Sequence, residues 1–172
     1  GPKQTLPVAI VGGGVSWSKD TISGENPPIE LTTTTSSSSV VIDGATVKAD
    51  IVGGGYAHQT GSTASVENAS LSISYATLGS DSNKVNIYAG GVTSGDAVSS
   101  NVTAAQLQIT ATTVSGDVYT GGSGANSTVG TSSAALTDTT VSGALNFEGS
   151  DETSIVFAGV NSVGSVTGTA QS

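Results

Sequence analysis

The sequence predicts an all-β fold, specifically a parallel β-solenoid (β-helix) of about four coils with a core period of about 31 in residue number. Three observations predict it: a glycine-terminated apolar pair that recurs along the chain, a period-two apolar element at set offsets from that pair, and a composition that favours strands and turns.

The glycine element occurs as Ile10-Val11-Gly12-Gly13-Gly14, Ile51-Val52-Gly53-Gly54-Gly55, Ile87-Tyr88-Ala89-Gly90-Gly91, Val118-Tyr119-Thr120-Gly121-Gly122 and Val156-Phe157-Ala158-Gly159-Val160. Its first members thus stand 41, 36, 31 and 38 apart in residue number. The alternating element occurs as Val40-x-Ile42, Leu71-x-Ile73, Leu107-x-Ile109 and Leu145-x-Phe147. The offset to the next glycine element is 11 from Val40 to Ile51, from Leu107 to Val118 and from Leu145 to Val156, and 16 from Leu71 to Ile87. The five extra positions fall in the turn-rich stretch Gly79-Ser80-Asp81-Ser82-Asn83. From Ile51 to Leu71 and from Ile87 to Leu107 the offset is 20, and Val66 and Val102 each stand 15 past the start of their glycine elements.

Insertions held to fixed points indicate loops on a regular coil, because one extra residue within a strand would turn every later side chain to the other face. Alternation in Leu71-Ser72-Ile73-Ser74-Tyr75 and Leu107-Gln108-Ile109-Thr110-Ala111 points the apolar residues inward. Val66, Leu71, Ile73, Ile87, Val102, Leu107, Ile109 and Val118 are therefore expected to be buried and stacked on their counterparts. The glycine pairs are expected at corners with positive φ, which glycine tolerates best. A β-sandwich with short strands at regular spacing is the alternative fold.

The organisation reads as a cap or atypical first coil over 1–39, repeats over 40–160, and the cut-short start of a further coil over 161–172. The first segment holds Trp17, Pro27-Pro28 and the hydroxyl run Thr32 to Ser39, which is either a strand or a loose loop. Gly1-Pro2 reads as a protease scar.

The elements Ile87-Tyr88-Ala89-Gly90-Gly91 and Val118-Tyr119-Thr120-Gly121-Gly122 resemble the V-Y-G-G-G repeats of large surface proteins of gut and oral bacteria, and are loosely similar to the glycine repeats of autotransporter passengers. The resemblance covers roughly residues 40 to 160 and implies a parallel β-helix on a secreted, often adhesive, protein.

Four lysines, no arginine and 13 acidic residues leave a formal charge of −9, which repels phosphate backbones and anionic membranes. No nucleic-acid partner is expected. No apolar run approaches the roughly 20 residues of a spanning helix, so no membrane insertion is expected either. With no cysteine there is no disulfide, thiolate metal site or thiol nucleophile. Catalytic residues are expected to be absent: His58 is the single histidine and reads as a surface-loop residue, no G-x-S-x-G elbow occurs, and the carboxylates are scattered. No cofactor or metal is expected. Calcium loop motifs are unmatched; Asp81 with Asn83, or Asp151 with Glu152, offer oxygen ligands for calcium on a loop, but read first as solvated turn residues. The sequons at Asn68, Asn101 and Asn126 would matter only in a eukaryotic secretory pathway.

One constellation carries a ligand-binding expectation. Aligned glycine elements stack Val52, Tyr88, Tyr119 and Phe157 in one column and Asp50, Asn86, Asp117 and Ile155 in the column two positions earlier, both on one face. If Ile51, Ile87 and Val118 point inward, Asn86, Tyr88, Asp117 and Tyr119 form an outward track of rings and planar polar groups suited to sugars; packing of the same column under a loop is the other outcome. The expected function is a non-catalytic extracellular or cell-surface adhesion or display module, with a glycan or a surface protein of a host or neighbouring cell as partner. The alternatives are a carbohydrate-binding module on a secreted enzyme or scaffold and, less well matched to its threonines, an ice-binding face.

Overall fold

Stacking of like residues is the first consequence of the repeat. In the computed structural model, which describes residues 9–17, 31–147, 150–158 and 162–167, Leu71 pairs with Leu107, Ile73 with Ile109, Val66 with Val102 and Ile87 with Val118. All eight of these side chains are buried.

Among the described residues the chain is all-β, and every pairing between its strands is parallel. The β-sandwich, built from antiparallel sheets, does not fit that pairing. Five long strands form one sheet: Leu31–Asp43, Ser62–Ser74, Ser99–Thr110, Ser127–Thr137 and Ser150–Ala158. A nine-stranded sheet carries the glycine elements Ala9–Val11, Asp50–Val52, Ile87–Tyr88 and Val118–Tyr119 on one side and Thr46–Val47, Thr77–Leu78 and Thr113–Val114 on the other. Thr140–Asn146 joins the two halves by pairing with both Thr113–Val114 and Val118–Tyr119, and Ser162–Thr167 lies along it. The third sheet has three strands, Val15–Trp17, Tyr56–His58 and Val92–Ser94.

The core lies between the long strands and the nine-stranded sheet: Leu71, Ile73, Leu107, Ile109 and Leu136 meet Leu78, Ile87, Val114, Val118 and Leu145 in one cluster. Full burial of each of these side chains contributes about 1.5–3 kcal/mol. The inward phase shifts once along the strands Ser62–Ser74 and Ser99–Thr110. Glu67 and Asn68 both face out between buried Val66 and Ala69, and Thr103 and Ala104 repeat this between Val102 and Ala105. Two successive outward side chains require the backbone to bend there.

The passes change length along the chain. Leu31 pairs with Ser62, Thr63 with Ser99, Ser100 with Ser127 and Val129 with Ser150, so the residue number rises by 31, then 36, 27 and 21. The constant unit expected from the repeat therefore does not hold. The five-residue insertion sits where expected, in the tight turn in which Ser80 and Asn83 exchange backbone hydrogen bonds. The later shortening comes from the third sheet: among the described residues it is continued beyond Val92–Ser94 only by a single bridge from Val92 to Ser123.

This shortening also corrects the last alignment. Leu145, not Val156, pairs with Val118, whereas Val156 pairs with Ala135 in the long-strand sheet. Ala134-x-Leu136, not Leu145-x-Phe147, continues the Leu107-x-Ile109 element. Both elements read as apolar-x-apolar, so a shorter pass slid one onto the other. The run Thr32 to Ser39 is strand, inside Leu31–Asp43, which spans residue 40.

The glycine pairs also serve a different purpose from the one expected. Gly14 has the expected positive φ, at 93°, but Gly53, Gly54, Gly90 and Gly91 do not. They are glycine because the next pass comes too close for a side chain: a Cβ on Gly13, Gly54 or Gly90 would collide with a methyl of Val66, Val102 or Val129. The buried hydroxyls of Ser38 and Ser100 donate to the carbonyls of Gly53 and Gly55, and that of Ser127 to Gly91. Left-handed residues also occur at the corners that end the first four long strands: Gly44, Tyr75, Ala111 and Asp138, with φ between 47° and 62°.

Two substitutions test this packing. Gly90→Ala should lower stability by about 3 kcal/mol through overpacking against Val129, and adding Val129→Ala should recover part of the loss, read from urea midpoints. Ala111→Gly relieves a left-handed alanine and should raise stability by about 1 kcal/mol.

Candidate functional site

Ile51, Ile87 and Val118 are fully buried, and the column beside them is partly covered as well: Val52, its first rung, is buried, whereas Tyr88 and Tyr119 are half-buried. Tyr88 pairs with Tyr119, and their rings stack with centroids 4.7 Å apart and planes 23° from parallel. Asp50, Asn86 and Asp117 occupy successive rungs of the neighbouring column. The structure thus brings together Asn86, Tyr88, Asp117 and Tyr119, all half-buried. It does not bring in Phe157 or Ile155. The fourth rung of the tyrosine column is Asn146, and Ala144 takes the place given to Ile155.

The polar column works on the backbone. The Asn86 N–H donates to Asp50 Oδ1, the Asp117 N–H to Asn86 Oδ1 and the Ala144 N–H to Asp117 Oδ1, each at 2.8 Å. These bonds continue the parallel ladder across a corner where strand pairing has not yet begun. Gly116 and Gly143 make room for it, since a Cβ on either would collide with the side-chain oxygen of Asn86 or Asp117. Alanine at 144 offers no acceptor, and the ladder ends there.

Asn86 also donates through Nδ2 to the Tyr88 hydroxyl at 3.3 Å. The Tyr88 phenol is pushed up to about 12, chiefly by burial; the Asn86 bond works against this, and the nearby Asp50, Tyr119 and Asp117 add to it. The faces of the Tyr88 ring look along the column, towards Val52 on one side and Tyr119 on the other. What the track presents outward is ring edges and hydroxyls.

The second polar cluster was not legible as such. His58 lies in the strand Tyr56–His58, not in a loop, and is half-buried. Its Nδ1 contacts Ser94 Oγ at 2.5 Å, Nε2 contacts Gln59 at 3.1 Å, and the Tyr56 hydroxyl contacts the same Ser94 Oγ at 2.9 Å. The signal available was spacing: Ser94 follows His58 at the same interval by which Ile87 follows Ile51.

Among the described residues no three of His, Cys, Asp and Glu converge on a metal-sized site. Asp81 pairs with Lys84 at 3.4 Å, and Asn83 Nδ2 donates to the Lys48 carbonyl. The side chains of Asp151 and Glu152 lie outside the described residues. Comparison with protein-family models, with curated proteins and with solved structures found no match.

Asn86→Ala leaves the Asp117 N–H without its acceptor and should cost about 1–2 kcal/mol. A phenol raised in the folded state adds stability that is complete below pH 10 and is lost as pH climbs towards 12. Discounted for half exposure, the loss is about 1 kcal/mol. Urea midpoints of the parent should fall across that window more than those of Tyr88→Phe.

Proposed function

We propose that this chain is a non-catalytic surface module of a larger extracellular protein, a parallel β-solenoid that holds an adhesive or displayed face. The observation that carries the reading is the register of the long strands, in step from Leu31 to Ala158 over five strands. Such a stack is stiff and sets its outward side chains in rows about 4.8 Å apart, so one weak contact is repeated along the body. Visiting the sheets in the same order on successive passes supports closure into a solenoid.

The two outward rows along the middle of the long strands are uncharged and mix hydroxyls and amides with the exposed side chains of Val41 and Val156, which suits uncharged partners. Ser39, Ser70, Gln106 and Ser133 form one row, and Val41, Ser72, Gln108, Ala135 and Val156 the next. Parts of both line a shallow open groove. Short hydroxyls and amides suit glycan hydroxyls or a polar protein surface, and the groove also favours the second reading, a carbohydrate-binding module on a secreted enzyme or scaffold. The acidic, arginine-free composition and the resemblance to glycine-rich surface repeats support the extracellular setting. Support for a non-catalytic role comes from the groups that could do chemistry: both His58 nitrogens are engaged, and Asp50 and Asp117 hold backbone N–H groups.

Beads coated with the domain should attach to immobilised glycans or cell-surface protein, with retention rising steeply with coating density. Attachment at no density would overturn the adhesive reading. The soluble domain should release no product from polysaccharide or peptide substrates, and turnover abolished by His58→Ala would refute the non-catalytic one.

A further inference from the structure

We propose that Tyr75 is a stacking site for one pyranose ring of a neutral glycan, seated in the gap beside it at Gly44. This deepens the adhesive reading and rests on it.

Tyr75 follows the long strand Ser62–Ser74 and turns the corner with φ 51°. Left-handed backbone is unusual for a bulky side chain, and Gly44 shows that this corner is made without one. Tyr75 is nevertheless 70% exposed, whereas the described side chains of Tyr56, Tyr88, Tyr119 and Phe147 are all half-buried or buried. The left-handed turn belongs to the corner, since Ala111 and Asp138 make it in the same way. What is particular to position 75 is a large aromatic ring held out in water there, which gains nothing for the core.

The ladder neighbours of Tyr75 decide what that is. The Gly44 N–H donates to the Ser74 carbonyl and the Tyr75 N–H to the Thr110 carbonyl, which sets Gly44 and Ala111 on either side of Tyr75. Tyr88 sits between Val52 and Tyr119, but Tyr75 has a bare α-carbon on one side and a single methyl on the other. A Cβ at Gly44 would meet no atom within 4 Å, so the space there is open. The neighbouring strand lies about 4.8 Å away, which is the thickness a stacked sugar ring needs.

Polar groups around the gap fit the rim of a sugar. Asp43, exposed and next to Gly44, accepts from Ser74 Oγ at 2.7 Å through Oδ1. A carboxylate has about four acceptor positions, so others remain for sugar hydroxyls. Thr46 and Thr77, paired and exposed, lie two residues past Gly44 and Tyr75. Asp43 and the formal charge of −9 disfavour uronic or sulfated chains, which makes the ligand a neutral glycan.

Titration calorimetry with cellohexaose, xylohexaose and mannohexaose tests the site. At least one should bind the parent weakly, between about 10 µM and 1 mM, as an open face with little buried area allows. Tyr75→Gly should weaken that binding more than about 10-fold while raising the melting temperature, and Tyr75→Phe should bind within about 3-fold of the parent. Unchanged binding by Tyr75→Gly would overturn the Tyr75 site and leave a glycan ligand standing elsewhere. If no hexasaccharide binds the parent although coated beads still attach to surfaces, the sugar site is overturned and the adhesive reading survives.

Discussion

A valine methyl resting on a bare glycine is the contact on which the other features of this molecule depend. Val66, Val102 and Val129 each reach the fourth residue of the glycine element one pass earlier, Gly13, Gly54 and Gly90. Because dispersion falls off steeply with separation, the two layers are held together only at the distance this contact permits. It draws the long strands onto the glycine elements and buries the glycine carbonyls, which the hydroxyls of Ser38, Ser100 and Ser127 then satisfy. The contact also crosses from one pass to the next, so it locks register as well as layer spacing.

Once register is locked, like side chains meet at ladder spacing, and their chemistry is turned on one another. Asp50, Asn86 and Asp117 become backbone acceptors, and Tyr88 and Tyr119 cover each other's faces. The track keeps polar edges, but the rings are committed to the stack. At the corner the reverse holds: Gly44 and Ala111 give Tyr75 no neighbour to stack on, and its ring remains outside. The same ladder geometry thus closes one aromatic site and leaves another open.

The shortening of the later passes shapes the body. The third sheet, which gathers Tyr56, His58 and Ser94, is confined to the early passes, whereas the long-strand sheet and the glycine-element sheet persist. Outward rows on the long strands therefore run the full length of the described body, and the His58 cluster belongs to one end of it.

The sequence by itself determined the all-β class, the burial and stacking of Val66, Leu71, Ile73, Ile87, Val102, Leu107, Ile109 and Val118, and the position of the inserted turn at Gly79 to Asn83. These were legible because a parallel ladder repeats its pattern at every pass and an insertion must leave the strand. Tertiary structure alone decided which apolar-x-apolar segment follows which, so that Leu145 takes the place expected for Val156; the two segments look alike locally, and only the loss of the third sheet separates them. It alone decided why the glycines are glycines, since a methyl arriving more than a full pass later, from Val102 onto Gly54, leaves no mark at Gly54 itself. And it alone decided which tyrosine is free. Exposure of a ring in a ladder depends on the residues one pass above and below, which for Tyr75 are Gly44 and Ala111, remote from it in the chain and joined to it only by the register of the long strands.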